Sequence, residues 1–218
     1  MDVQLRHVKR FPKEIQQLVF GYVRNGYADT PDLILFTILA FYHIDEHFEE
    51  YSDKLVKVSE DGMTLTVKKI SFLERTSSFG KKKVLTKHGG RVRWTIKINN
   101  FLNFCVIGID AGQHNVNDAF WSLNESVHYA WAADDGQIRG SDSVLWRKFS
   151  SPCTDGDVVC MELDVDRNTL SFAINGGEMK IAFNDVKATE IGYSLAVYMF
   201  DENDSVSLVS VDNFPRSE

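Results

Sequence analysis

The sequence predicts a mainly β protein, an antiparallel β-sandwich, on three observations. Residues 155–174, DGDVVCMELDVDRNTLSFAI, place Val159, Met161, Leu163 and Val165 at every second position, and Leu170, Phe172 and Ile174 resume the alternation after a polar break. Period-two patterning is what a strand with one buried face requires, because successive side chains point to opposite faces. Residues 91–98 repeat it, with Val92, Trp94, Ile96 and Ile98 facing one way and Arg91, Arg93, Thr95 and Lys97 the other. Turn chemistry separates the runs: Asp166-Arg167-Asn168 makes a hairpin of the first pair, and Asn175-Gly176-Gly177 tolerates positive φ in a second turn.

The remaining elements follow in chain order. Phe11-Pro12-Lys13-Glu14-Ile15 opens a helix to about residue 24, with Ile15, Leu18, Val19 and Tyr22 in one apolar stripe and Asn25-Gly26 as its stop. Thr30-Pro31-Asp32 starts a second helix to about Tyr42 that is apolar nearly all round and has to be buried. This short helical pair forms an N-terminal segment, residues 1–50, ahead of a β domain over residues 51–218. Residues 56–67 read as strand, Glu-Asp-Gly turn and strand, and residues 71–79 as a polar loop. Residues 101–109 are nearly continuously apolar, as in a strand covered on both faces. After a polar loop at 111–119, Tyr129 and Trp131 stand two apart on one strand face, and Asp134-Asp135-Gly136 is a turn. The closing runs, 193–200 and 206–211, are joined by the acidic turn Asp201-Glu202-Asn203-Asp204.

Composition excludes several classes of function. At 218 residues and 24.8 kDa with 44% hydrophobic content, the chain makes one sizeable domain, or a domain plus a small appendage. Cys105, Cys153 and Cys160 lack metal-ligand spacing and are odd in number, which favours a reducing cytoplasmic or nuclear setting over secretion. The polar start has no apolar stretch behind it, and the longest apolar run, residues 33–42, is about half of what a membrane-spanning helix needs. No membrane partner is expected.

The net charge of −7 is unevenly placed. Between residues 81 and 97 there are seven basic residues and no acid, whereas from residue 100 onward acids outnumber Lys and Arg by 19 to 7. The C-terminal half should repel nucleic acid, with its negative charge every ~1.7 Å of duplex axis. The basic outer face of residues 91–97 has two readings: a solvated strand face, or charges that meet an acidic partner.

A resemblance rests on these same segments. GDVVCMELDVDRNTLSFAINGGE, followed by Ile181-Ala182-Phe183, is similar to the diagnostic segment of the SPRY family in its Gly-Asp, its Leu-Asp-x-Asp turn, its Thr-Leu-Ser-Phe strand and its Asn-Gly turn. Arg93-Trp94-Thr95-Ile96-Lys97-Ile98 resembles that family's tryptophan-bearing strand, and Ile107-Gly108-Ile109 its short glycine-containing strand. Residues 193–209 resemble its closing pair of strands. The similarity covers roughly residues 55–211, departing at Cys160 and at the Thr that follows Trp94. It implies a bent β-sandwich without catalytic activity that binds a peptide or a folded protein through loops at one end. Some SPRY proteins are substrate receptors of ubiquitin ligases.

No catalytic signature stands against that expectation. His43-Ile44-Asp45-Glu46-His47 lacks the Glu that follows the first His of a zincin, and Asp164, Asp166 and Asn168 lack the glycine and the closing Glu of a calcium loop. Neither a GxSxG, a P-loop nor a dinucleotide fingerprint occurs. Cys153 is the one candidate reactive thiol. No cofactor or metal is implied. The candidate partner-binding residues are Tyr129 and Trp131, with Asp134 and Asp135 beside them and Trp121 and Trp146 as further anchors. If the two acids line the site, the protein or peptide ligand carries Arg or Lys. Residues 1–50 have two readings: the helical pair braces the sandwich, or Phe11-Pro12-x-Glu14-Ile15 before an apolar stripe, which resembles the opening of an F-box, docks a ubiquitin-ligase adaptor.

Overall fold

The computed structural model describes residues 46–51, 55–68, 76–80, 89–111, 128–140, 145–190 and 192–214. All fall in one compact unit, Asp45–Glu218. The helices expected over residues 11–24 and 30–42 lie outside the described residues.

Among the described residues, fourteen strands form two antiparallel sheets of seven. The first sheet runs in the order β1 (Phe48–Tyr51), β4 (Thr76–Gly80), β13 (Ser194–Met199), β6 (Cys105–Asp110), β7 (His128–Ala132), β8 (Gln137–Gly140) and β9 (Arg147–Lys148). The second runs β12 (Lys180–Phe183), β11 (Thr169–Ile174), β10 (Val158–Asp164), β5 (Arg91–Asn100), β14 (Ser205–Phe214), β3 (Thr64–Val67) and β2 (Val56–Val58).

The alternation of residues 91–98 and 155–174 becomes the centre of the second sheet. Strand β5 sits between β10 and β14, with Trp94 opposite Met161 and Val211. Val92, Trp94, Ile96 and Ile98 are all at most 4% exposed, and Met161, Leu163 and Leu170 are fully buried. The outer face of the same strands is polar: the Arg93 guanidinium donates two hydrogen bonds to Glu162, and Arg91 and Arg93 both lie over the Phe214 ring. The β10–β11 hairpin and the turn at Asn175, where φ is +52°, match the expected turns.

The first sheet is buried on both faces along its central strands β13, β6 and β7. Its inner face meets the second sheet through Trp131 against Phe172, with ring centroids 5.8 Å apart, and Tyr129 against Phe183 at 5.1 Å. Its outer face carries Val106, Ala130, Ala132, Ala196 and Tyr198, all at most 4% exposed, with Phe104 and Trp146 packed on them. Gly108 lets β6 and β7 close up, because a Cβ there would strike the Tyr129 carbonyl. The two lateral edges of the sandwich are bridged. Phe48 N–H donates to the Gly62 carbonyl on one side, and the Arg147 guanidinium donates to the Ala182 carbonyl at 2.7 Å on the other.

Two expectations need correction. Part of the stretch read as a polar loop, 71–79, is strand β4, because its position between β1 and β13 supplies backbone partners that a polar composition does not announce. Residues 101–104 are a loop and not the start of a strand: Asn103 interrupts the apolar run, and β6 begins at Cys105.

Because β5 is central and its inward side chains are fully enclosed, Ile96→Ala should destabilise the protein by about 3 kcal/mol. Urea unfolding at constant m-value is the check.

Candidate functional site

Four of the described loops come together at the end of the sandwich where β5 finishes and β6 starts. They are residues 101–104 (between β5 and β6), 133–136 (between β7 and β8), 149–157 (between β9 and β10) and 200–204 (between β13 and β14). Together they hold seven acids, at 134, 135, 155, 157, 201, 202 and 204, and neither Lys nor Arg.

Asp204 organises this end. It is 0% exposed, and its carboxylate accepts backbone N–H donors from Leu102 at 2.9 Å, Asp201 at 2.8 Å and Phe200 at 3.3 Å. The Asp204 carbonyl accepts from Val67 N–H, and the Asn203 carbonyl accepts from the Asn100 amide, so the turn is tied to β3 and to the end of β5. On the other flank, the Asp155 carboxylate accepts the Phe101 N–H at 3.0 Å. Asp157 accepts from the Asn175 amide and from Thr154 N–H, which holds its carboxyl below the usual range. Loop 101–104 is therefore held on both sides, and Leu102 stands out from it at 73% exposure.

The sequence candidates divide. Trp131 is fully buried, and its indole N–H donates to the Ser150 hydroxyl at 3.0 Å, which fixes loop 149–157 from below. Tyr129 is 2% exposed; its hydroxyl donates to the Asp185 carbonyl and accepts from Lys187 N–H, fastening the segment after β12. Neither ring offers contact area to a partner, which corrects the expectation that they are surface anchors: the face they share is the one between the sheets. Trp146 is partly buried against the outer face of the first sheet. Trp121 lies outside the described residues. Asp134 and Asp135 do lie at the loop end, in the turn closed by Gly136, where φ is +70° and a Cβ would strike the Ser150 carbonyl. The Asp135 carboxylate accepts Gln137 N–H at 2.9 Å, and its carbonyl accepts from the Lys148 ammonium, so this acid is spent on the turn. Asp134 Oδ1 is buried and has no hydrogen-bond partner among the described residues.

Periodicity and composition do not single out Leu102, Asp155 or Asp204. The signal for Leu102 is Asn103 interrupting an apolar run. For Asp204 it is an acid closing a turn just before a strand, where a carboxylate can accept several backbone N–H groups.

The electrostatics of this end follow from burial. Desolvation raises the carboxyls of Asp134 and Asp204, in Asp204 against the lowering effect of its three N–H donors. The Cys105 thiol is pushed well up by its complete burial and then by the charges of Asp204 and Asp134. Burial likewise pushes the Cys153 thiol up to about 12, so it has no thiolate character at neutral pH. Cys105 and Cys153 are free thiols that flank the Ala133 backbone, which hydrogen-bonds to both. Among the described residues, no group of three or more His, Cys, Asp or Glu could hold a metal ion.

The fold has solved relatives. The SPRY domain of human HERC1 is 21% identical with a TM-score of 0.53, over 75% of this chain and 97% of that domain. A second human SPRY domain is 18% identical with a TM-score of 0.55, over 73% and 96% of the two chains. The PSpry domain of TRIM65 is 12% identical with a TM-score of 0.58, over 80% and 97%. No family model matches the chain, and no curated protein matches it. At these identities the likeness is one of fold: this is a SPRY-type antiparallel β-sandwich.

The raised Asp134 carboxyl has a definite consequence. A group whose folded pKa lies above its unfolded value contributes stability that is present below the unfolded pKa and lost as pH rises through the folded one. Asp134→Asn removes this loss. Melting temperatures of the variant minus wild type should be more positive at pH 7 than at pH 4.

Proposed function

We propose that this chain is a non-catalytic protein-interaction module that grips a protein or peptide through the loop end just described. One observation carries the reading: four loops fastened to a rigid sandwich present an exposed apolar side chain in a field of seven acids, the loops themselves carrying neither Lys nor Arg. Bordering them are the Lys148 ammonium on the Asp135 carbonyl and the exposed Lys68, which follows Val67 beside the Asp204 turn. Such a field draws a positively charged partner and disfavours nucleic acid. The SPRY-type fold supports it, since the resemblance implies binding through loops at one end. With Tyr129 and Trp131 internal, the contact surface moves to Leu102 and the acids around it, Asp134 included. The thiols support no nucleophilic chemistry, as both Cys105 and Cys153 are buried with raised pKa values. A role as a ubiquitin-ligase substrate receptor remains the second reading; it rests on Phe11-Pro12-x-Glu14-Ile15, outside the described residues.

Glu202 is exposed, in the turn that Asp204 holds. Glu202→Lys should weaken partner binding roughly three- to tenfold at low salt, by loss of one attraction and gain of one repulsion. The same binding should fall as ionic strength rises, because exposed charges are screened beyond about 10 Å at 0.1 M salt. Partner recovery by the full chain, wild type against Glu202→Lys, is the test. Equal recovery at every salt concentration removes this end from the interface.

A further inference from the structure

Four large apolar side chains are exposed among the described residues: Leu102 and Leu145 at 73%, Ile181 at 60% and Val209 at 55%. Exposed apolar residues scattered singly are ordinary. Ile181 lies on the edge strand β12, and Val209 is the extra residue where the register between β14 and β5 shifts.

Leu102 differs in how it is held. Its own N–H is fixed by the fully buried Asp204 carboxylate, and the N–H before it by Asp155. Phe101 and Phe104, on either side, are half-buried. The backbone is fixed while the side chain stands out, which makes a knob and not a pocket. An anchor already fixed in place costs less ordering entropy on binding than one on a mobile loop. A knob is complementary to a concavity, and apolar concavities with a few placed polar groups are features of folded proteins, not of extended peptides. The flanking turns add Asp155 on one side and Asp201 and Glu202 on the other.

We infer that the partner is a folded protein whose apolar pocket, rimmed by Lys or Arg, receives Leu102. This rests on the loop end being the binding surface, and it goes further by naming which side supplies the pocket. A linear peptide lying on this end is the competing occupant.

The experiment selects binders of the immobilised full chain from two phage-displayed libraries, one of random linear peptides and one of folded protein domains. Binders are then measured against Leu102→Asp and Glu202→Lys. Leu102 is exposed, so its replacement leaves the core intact, and a melting curve verifies this. The expected result is folded-domain binders that lose about tenfold or more on Leu102→Asp and that weaken when Lys or Arg at their own pocket rim is replaced. Leu102-dependent binders drawn from the linear library, or a domain library yielding no Leu102-dependent binder, overturn the inference. Binders indifferent to both Leu102→Asp and Glu202→Lys would overturn the choice of the loop end itself.

Discussion

The buried carboxylate of Asp204 is the constraint on which the loop end depends. Removing a charge from water is costly unless it is hydrogen-bonded, and its raised carboxyl shows that cost. Three backbone N–H groups offset it, each hydrogen bond to a charged acceptor contributing about 1.5–3 kcal/mol. Those donors come from two different connections, 101–104 and 200–204, so one side chain sets the position of both. A neutral residue of similar size would leave the donors less well served and the two loops independent.

Beneath the loops, the aromatic residues act as internal struts. Trp131 reaches from β7 to Phe172 in the opposite sheet and holds Ser150 with its indole N–H. Tyr129 packs on Phe183 and Tyr193, and its hydroxyl secures the segment following β12. Large rings enclosed between two sheets, each with its polar atom satisfied, fix the spacing of the scaffold. The loops above can then vary in sequence while their anchoring points stay in place.

Much of this fold is legible in the amino-acid sequence. The alternation in β5, β10 and β11 marks strands and their faces, and the Asp-Arg-Asn, Asn-Gly and Asp-Asp-Gly turns lie where the patterning puts them. The aromatics are harder. Period-two patterning says that Tyr129 and Trp131 share a face but not whether that face is covered. Here the ambiguity is complete, because Ala130 and Ala132 on the opposite face are as buried as the rings. Strand β4 is hidden because its backbone pairing, not its composition, makes it a strand. Turn chemistry points to Asp134 and Asp135. It does not point to Leu102 or Asp204, since their roles arise from a contact between residues 102 positions apart.

Amide hydrogen exchange at residue resolution tests the central claim, that this end is a fixed platform and not a set of mobile loops. The Leu102 and Asp201 amides, bonded to the buried Asp204 carboxylate, should exchange as slowly as those of β5 and β14 beside them. Exchange at the rate of an unstructured chain at both positions would contradict the account.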